Sequence, residues 1–198
     1  MFSFFTAIVP KPLKFVLAVA VGCLLCWLVS SAPRGFAQGP PRVVEAHVAL
    51  ASDGVHPGSS QKAAIVSSVS PGYHINAHKP SFDYLIPTEV KFDNNHAVSI
   101  EKTRYPAGKP QKLSFSDDPL SVYQGRFLIG LDLKVPAGIT PGVYTIKGEL
   151  HYQACNDRAC LAPSRVPLTL TVKVVPATRP LKPENSAIFH ELRTIQAD

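Results

Sequence analysis

Apolar and polar residues alternate with a period of two along most of the chain from residue 42 onward. In "VVEAHVALA", Val44, Ala46, Val48 and Leu50 fall on one side and Glu45 and His47 on the other. "KAAIVSSVS" follows a turn at Pro57–Gly58. "PTEVKF" and "AVSIEK" flank "DNNH", which predicts a hairpin. "RFLIGLDLKV" puts Phe127, Ile129, Leu131 and Leu133 on one face, with Asp132 and Lys134 opposite. "VYTIKGELHYQAC" turns Tyr144, Ile146, Leu150 and Tyr152 inward and Lys147, Glu149 and His151 outward. "VPLTLTVKV" aligns Val166, Leu168, Leu170, Val172 and Val174. About seven such strands, separated by Gly, Pro, Asn and Asp turns, predict an all-β sandwich or barrel. The domain is expected over 42–175. A Pro-rich tail follows over 176–198, where "ENSAIFHELRT" reads as a short helix outside the sandwich.

The first 37 residues have a different pattern. Lys11 and Lys14 precede the apolar run "FVLAVAVGCLLCWLV", and Gly35 and Ala37 supply a small-x-small cleavage site. This is the three-part layout of a secretory signal peptide over 1–37. The alternative is an uncleaved N-terminal membrane anchor. Either way the remainder is expected to be exported, to the periplasm or outside the cell. The segment holds three of the twenty basic residues and no acid, so the +6 formal charge falls to +3 in the mature chain. With no dense Lys/Arg cluster, nucleic-acid binding has little support.

Export sharpens the meaning of the cysteines. Cys23 and Cys26 lie in the apolar run, leaving Cys155 and Cys160 in the mature chain, within "HYQACNDRACLAP". They close one strand and open the next, so a disulfide between opposed positions is geometrically reasonable. An inter-sheet immunoglobulin staple is excluded by the short spacing, and the only Trp, Trp27, is in the leader. As a chain constraint, so short a loop is worth about 2 kcal/mol. Strand parity places Cys155 with Glu149, His151 and Gln153 on the solvent side, where a thiol would be open to exchange. His74 and His78 could complete a Cys₂His₂ metal set, but their x3 spacing suits a helix and "PGYHINAHKPS" reads as loop or strand. Spacing alone therefore leaves a hairpin staple and an exchangeable disulfide both open.

At "YQACNDRACLAP" and the following "VPLTLTVKV", the chain resembles the N-terminal periplasmic domain of the DsbD thiol:disulfide interchange protein. "PGYHINAHKP…IPTEVKF" and "SVYQGRFLIGLDLKV" are similar to further landmarks of that family, in the right order. The resemblance covers roughly Val44 to Val174 and implies an immunoglobulin-like antiparallel β-sandwich. It implies that Cys155 and Cys160 are a redox couple, Cys160 being the sulfur that forms the mixed disulfide. It implies a cap loop over the disulfide, matched here by "FSDDPL". Phe115 would be the shielding aromatic, with Asp117, Asp118 and Pro119 shaping the loop. On the residues alone, Phe115 reads as an ordinary core position and the Asp-Asp-Pro as a turn. Tyr152 and Gln153 would support the site from the strand. The implied partners are a thioredoxin-like redox protein and periplasmic disulfide oxidoreductases, with no metal or organic cofactor required. As the chain ends soon after the sandwich, the electron donor is expected to be a separate protein, for instance a membrane-embedded one. The rival from another class is a non-catalytic secreted β-sandwich that binds a partner and keeps a structural hairpin disulfide.

Overall fold

A computed structural model describes residues 42–94 and 97–194; the expected signal segment lies outside the described residues. The alternating runs form strands in three antiparallel sheets, and their inward faces merge into one core. The first sheet has the order β1-β2-β8-β5, from β1 (Val44–Leu50), β2 (Ser60–Val69), β5 (Ser99–Arg104) and β8 (Arg126–Lys134). The second has the order β10-β3-β7-β6, from β3 (His74–Asn76), β6 (Lys109–Gln111), β7 (Leu120–Tyr123) and β10 (Ala154–Cys155). The third is β11-β9-β4, from β4 (Glu89–Phe92), β9 (Gly142–Tyr152) and β11 (Ser164–Val174). Ile65, Ile129, Leu131 and Leu133 from the first sheet share the core with Ile146, Leu150, Leu170 and Val172 from the third. This is an antiparallel sandwich, one of the two all-β forms the alternation predicts, and of the immunoglobulin-like kind the resemblance implies.

The expected hairpin around "DNNH" does not form. β4 pairs with β9 in the third sheet and β5 with β8 in the first, so the connection crosses between layers. Turn chemistry permits a hairpin, but each short strand finds a longer partner elsewhere. Phe92 stands opposite Gly148, where a Cβ would lie 2.4 Å from the Phe92 ring and 2.6 Å from the Lys91 carbonyl. Only glycine admits β4 at that distance.

The tail is not detached. Helix α1 (Ser186–Thr194) packs on the outer face of the first sheet, against β2 and β8. Ala49, Ala64 and Gly130 are aligned in register across β1, β2 and β8, forming a shallow row on that face. A Cβ on Gly130 would come within 3.2 Å of Leu192. Phe189 is buried there, as are Ala64 and Leu128. Arg126 forms an ion pair with Glu191, and the Asn185 side-chain amide donates to the Leu50 carbonyl at 2.9 Å. Beside the helix, Arg104 makes a bidentate pair with Asp132, holding β5 to β8 and keeping the Asp132 carboxyl below its usual range.

Asp53 anchors the stretch before the helix. Its carboxylate accepts from the Lys182 amide at 2.9 Å and from the Arg179 guanidinium at 2.7 Å. The Lys182 bond, followed by the nearby cations, lowers its pKa from the ordinary 3.8. A lowered carboxylate pKa stabilises the folded tail above the unfolded value, and that contribution disappears as pH falls through the folded one. Amide-exchange protection at Lys182 should therefore be lost in acid while β8 stays protected. Asp53→Ala should produce the same loss at neutral pH. Unchanged protection at Lys182 in the variant would refute the anchor.

Candidate functional site

Cys155 and Cys160 are joined by a disulfide, with Cα atoms 3.9 Å apart across an isolated antiparallel bridge. The connection is a tight turn built by Asn156. Its amide donates to the Ala159 carbonyl at 3.0 Å, and its side-chain oxygen accepts from the amides of Arg158 and Ala159 at 2.9 and 3.0 Å. Beyond the turn, the Leu161 amide returns to the Ala154 carbonyl at 2.7 Å. Gln153 reaches across the same hairpin, donating from its side chain to the Leu161 carbonyl at 3.2 Å. Its own carbonyl accepts from the Asn76 amide at 3.4 Å. Gln153 is thus the hinge at which β9 leaves the third sheet and β10 enters the second.

The two sulfurs have opposite surroundings. Cys160 is exposed and Cys155 is only 1 % exposed, so the solvent-side location expected for Cys155 fails. Parity did place Cys155 on the outward face, since Tyr152 and Ala154 belong to the main core. That outward face is roofed by two segments that strand parity does not register. Residues 79–87 lie over it, tied by the Asn76 side-chain amide donating to the Ile86 carbonyl at 2.9 Å. The β6–β7 loop, 112–119, lies beside them. Leu113, Leu120 and Val122 form a second small core there, with Phe82 and Leu85 packed on it.

Between these segments opens a hollow of about 490 Å³ whose lining includes Cys160, Phe115, Asp117, Asp118, Phe82 and Tyr84. Phe115 is 45 % exposed, so it is a loop aromatic and not a core residue. At the loop base the Pro119 carbonyl accepts from the Ser81 hydroxyl at 3.2 Å, while the Ser116 hydroxyl donates to the Asp118 carbonyl at 2.7 Å. The Ser114 hydroxyl donates to the Asp157 carbonyl at 2.6 Å, tying this loop to the turn between the cysteines. Phe82 and Tyr84 stack with centroids 5.3 Å apart, and Tyr84 is 78 % exposed. These two aromatics escaped the sequence reading. Their signal was "SFDYLIP", an apolar, aromatic stretch between Pro80 and Pro87 with no strand period. Tyr152 sits in the main core, next to Gln153 in the chain.

The histidines do not gather with the sulfurs. His78 stacks on Tyr105 at 3.6 Å, and its Nδ1 lies 3.1 Å from the Thr88 carbonyl. His74 alone stands beside Cys155, paired with it in the β3–β10 register. Among the described residues, no group of three His, Cys, Asp or Glu side chains is placed to hold a metal ion. No helix among them is long and apolar enough to cross a membrane.

Fold and site together define a class: an immunoglobulin-like sandwich bearing one hairpin disulfide, half buried and half exposed, under an aromatic-lined hollow. Residues 41–171 match the family described as thiol:disulfide interchange protein DsbD, N-terminal, and the chain belongs to that family. Its fold is similar to the N-terminal periplasmic domain of ScsB from Proteus mirabilis, with a TM-score of 0.50 at 13% identity. That match covers 80% of this chain and 56% of the other, so the chain spans little more than half of that structure. The seventh ScaB type I cohesin from Pseudobacteroides cellulosolvens matches at a TM-score of 0.40 and 12% identity, covering 69% of this chain and 96% of that one. No curated protein sequence matches the chain.

If the β6–β7 loop shields Cys160, trimming its aromatic will speed access without harming the fold. Phe115→Ala should change stability by less than about 0.5 kcal/mol, as expected for an exposed side chain. The same variant should be reduced by dithiothreitol several-fold faster than the parent. Equal reduction rates would show that Phe115 does not shield the disulfide.

Proposed function

We propose that this domain passes reducing equivalents by thiol–disulfide exchange through Cys155 and Cys160, after export from the cytoplasm. The observation that carries this reading is the division of labour between the sulfurs: Cys160 exposed on the rim of the hollow, Cys155 buried behind it. In the reduced domain, the Cys160 thiolate attacks a partner disulfide and a mixed disulfide forms. Cys155 then attacks the Cys160 sulfur, the internal disulfide closes, and the partner leaves with both of its sulfurs reduced. A thioredoxin-like protein, drawing on a separate and membrane-embedded source of electrons, would restore the dithiol. Periplasmic disulfide oxidoreductases would be the acceptors.

A purely structural disulfide is the weaker account. The hairpin is already closed by the Asn156–Ala159 and Leu161–Ala154 backbone bonds and by the Asn156 side chain. A covalent bond adds only about 2 kcal/mol across so short a loop. The family membership and the acidic, aromatic surroundings of Cys160 supply a reason for its exposure that a staple does not need.

Trapping separates the readings. With Cys155→Ser, Cys160 can attack but nothing resolves the product, so a mixed disulfide with a thioredoxin-fold protein should accumulate in the exporting cell. Cys160→Ser should accumulate little. Failure of both variants to capture a partner, together with a reduction potential well below about −300 mV, would establish a structural bond.

A further inference from the structure

His74 is a buried titratable group that neither the fold nor the exchange scheme above employs. It is 2 % exposed, its Nε2 is fully buried, and that atom has no hydrogen-bond partner. Burying such a group unpaired costs about 1–3 kcal/mol. The neighbouring Asn76 has its side-chain nitrogen bonded to the Ile86 carbonyl and its Oδ1 likewise unpartnered. The position of His74 explains what the vacant nitrogen could serve. Cys155 is paired with His74 on one side and with Cys160 on the other, so the three residues form a single row across the strands. Directly opposed residues in an antiparallel pair share a face, with Cβ atoms about 4.5–5.5 Å apart. In the oxidised protein the Cys155 sulfur has no proton to offer. After reduction it has one, on a residue directly opposite a histidine whose Nε2 lacks a partner.

We propose that His74 accepts the proton of Cys155 when the domain is reduced, generating the thiolate that closes the internal disulfide. This rests on the exchange reading above and supplies what that reading leaves open. Burial disfavours the charged form of a thiol, so Cys155 would otherwise be a poor nucleophile. The proton and electron balance follows directly. The Cys160 thiolate bonds to one partner sulfur, and the other partner sulfur leaves as a thiolate and takes a proton from water. The Cys155 S–H gives its proton to His74. The Cys155 thiolate then bonds to the Cys160 sulfur, the Cys160–partner bond breaks, and the second partner thiolate leaves to be protonated in turn. Two domain sulfurs are oxidised and two partner sulfurs reduced.

The surroundings suit a base that must be neutral first and charged afterwards. His74 lines a second hollow of about 300 Å³ with Tyr73, Ser70, Gln124, Gly125 and Asp157. Tyr73 and Asp157 are the other titratable groups of that lining, and Cys155 faces His74 from β10. Burial lowers the pKa of His74 from 6.5, which keeps the imidazole neutral and able to accept. Asp157, in the turn between the cysteines, acts in the opposite sense and steadies the imidazolium once formed.

Two titrations on the full chain test this, and neither needs a partner protein. With Cys23→Ser, Cys26→Ser and Cys160→Ser together, the ultraviolet absorbance of the thiolate follows Cys155 alone. Adding His74→Gln should move that curve to higher pH and cut the thiolate fraction at neutral pH about tenfold, equivalent to one pKa unit. Superimposable curves would overturn the proposal. Because a buried substitution could unfold the chain, the second measurement uses the unaltered protein. NMR of the His74 imidazole should show it neutral in the oxidised form and titrating together with Cys155 in the reduced form. Identical titrations in both redox states would equally overturn it. Partner capture by Cys155→Ser alongside unchanged titrations would remove the role of His74 and leave exchange standing. Shifted titrations without any capture would support His74 and remove exchange.

Discussion

The backbone between Tyr152 and Cys155 serves two sheets in succession, and the arrangement of the site depends on that handover. Up to Tyr152 the strand is bonded to β4 and β11; from Ala154 it is bonded to β3. Gln153, at the junction, bonds across the hairpin to Leu161 and sideways to Asn76 of β3. Because side chains alternate without interruption through the junction, Ala154 remains in the main core and Cys155 turns away from it. The cysteine pair is therefore carried by a long, fully bonded hairpin rather than by a free loop. Its geometry is inherited from the rigid part of the molecule, while the groups that surround it come from loops.

The opposite face of the molecule shows how little side chain is needed to seat a helix. Ala49, Ala64 and Gly130 leave a low row across three strands, and Phe189 and Leu192 occupy the space. Polar ties at Asp53, Asn185 and Arg126 then fix where the tail lies along that row. Apolar fit supplies attraction without direction; the hydrogen bonds and ion pairs supply the register.

Much of this fold was legible because six of its strands are long enough to display alternation. β3, β6 and β7 were not read as strands, and β10 was read as the end of the run that forms β9; these four contain two to four residues each. So short a run cannot show a period, yet these four make up the whole sheet that bears the disulfide. "DNNH" misled for a related reason: turn residues report local bending, and the choice of partner strand is made by distant segments such as Gly148. The tail helix was visible in its apolar spacing, but its docking depends on three small residues scattered over two strands and a third. At the site, the cysteines, Phe115 and its neighbours could be named from the resemblance. Phe82, Tyr84 and the burial of Cys155 depend on a roof made by irregular chain, which leaves no periodic trace. His74 was considered only as a metal ligand, because its relation to Cys155 is a matter of strand register rather than spacing.

The hydrogen bond from Ser114 to the Asp157 carbonyl has a consequence for anyone wishing to transplant this chemistry. It joins the loop bearing Phe115 to the turn between the cysteines, so the two are one mechanical part despite being more than forty residues apart in sequence. Moving the six residues from Cys155 to Cys160 into another scaffold would carry the sulfurs and leave behind the cover, its fastening and the aromatic rim. The smallest portable unit is discontinuous: the cysteine turn, the β6–β7 loop, and the segment from Ser81 to Leu85 on which that loop rests.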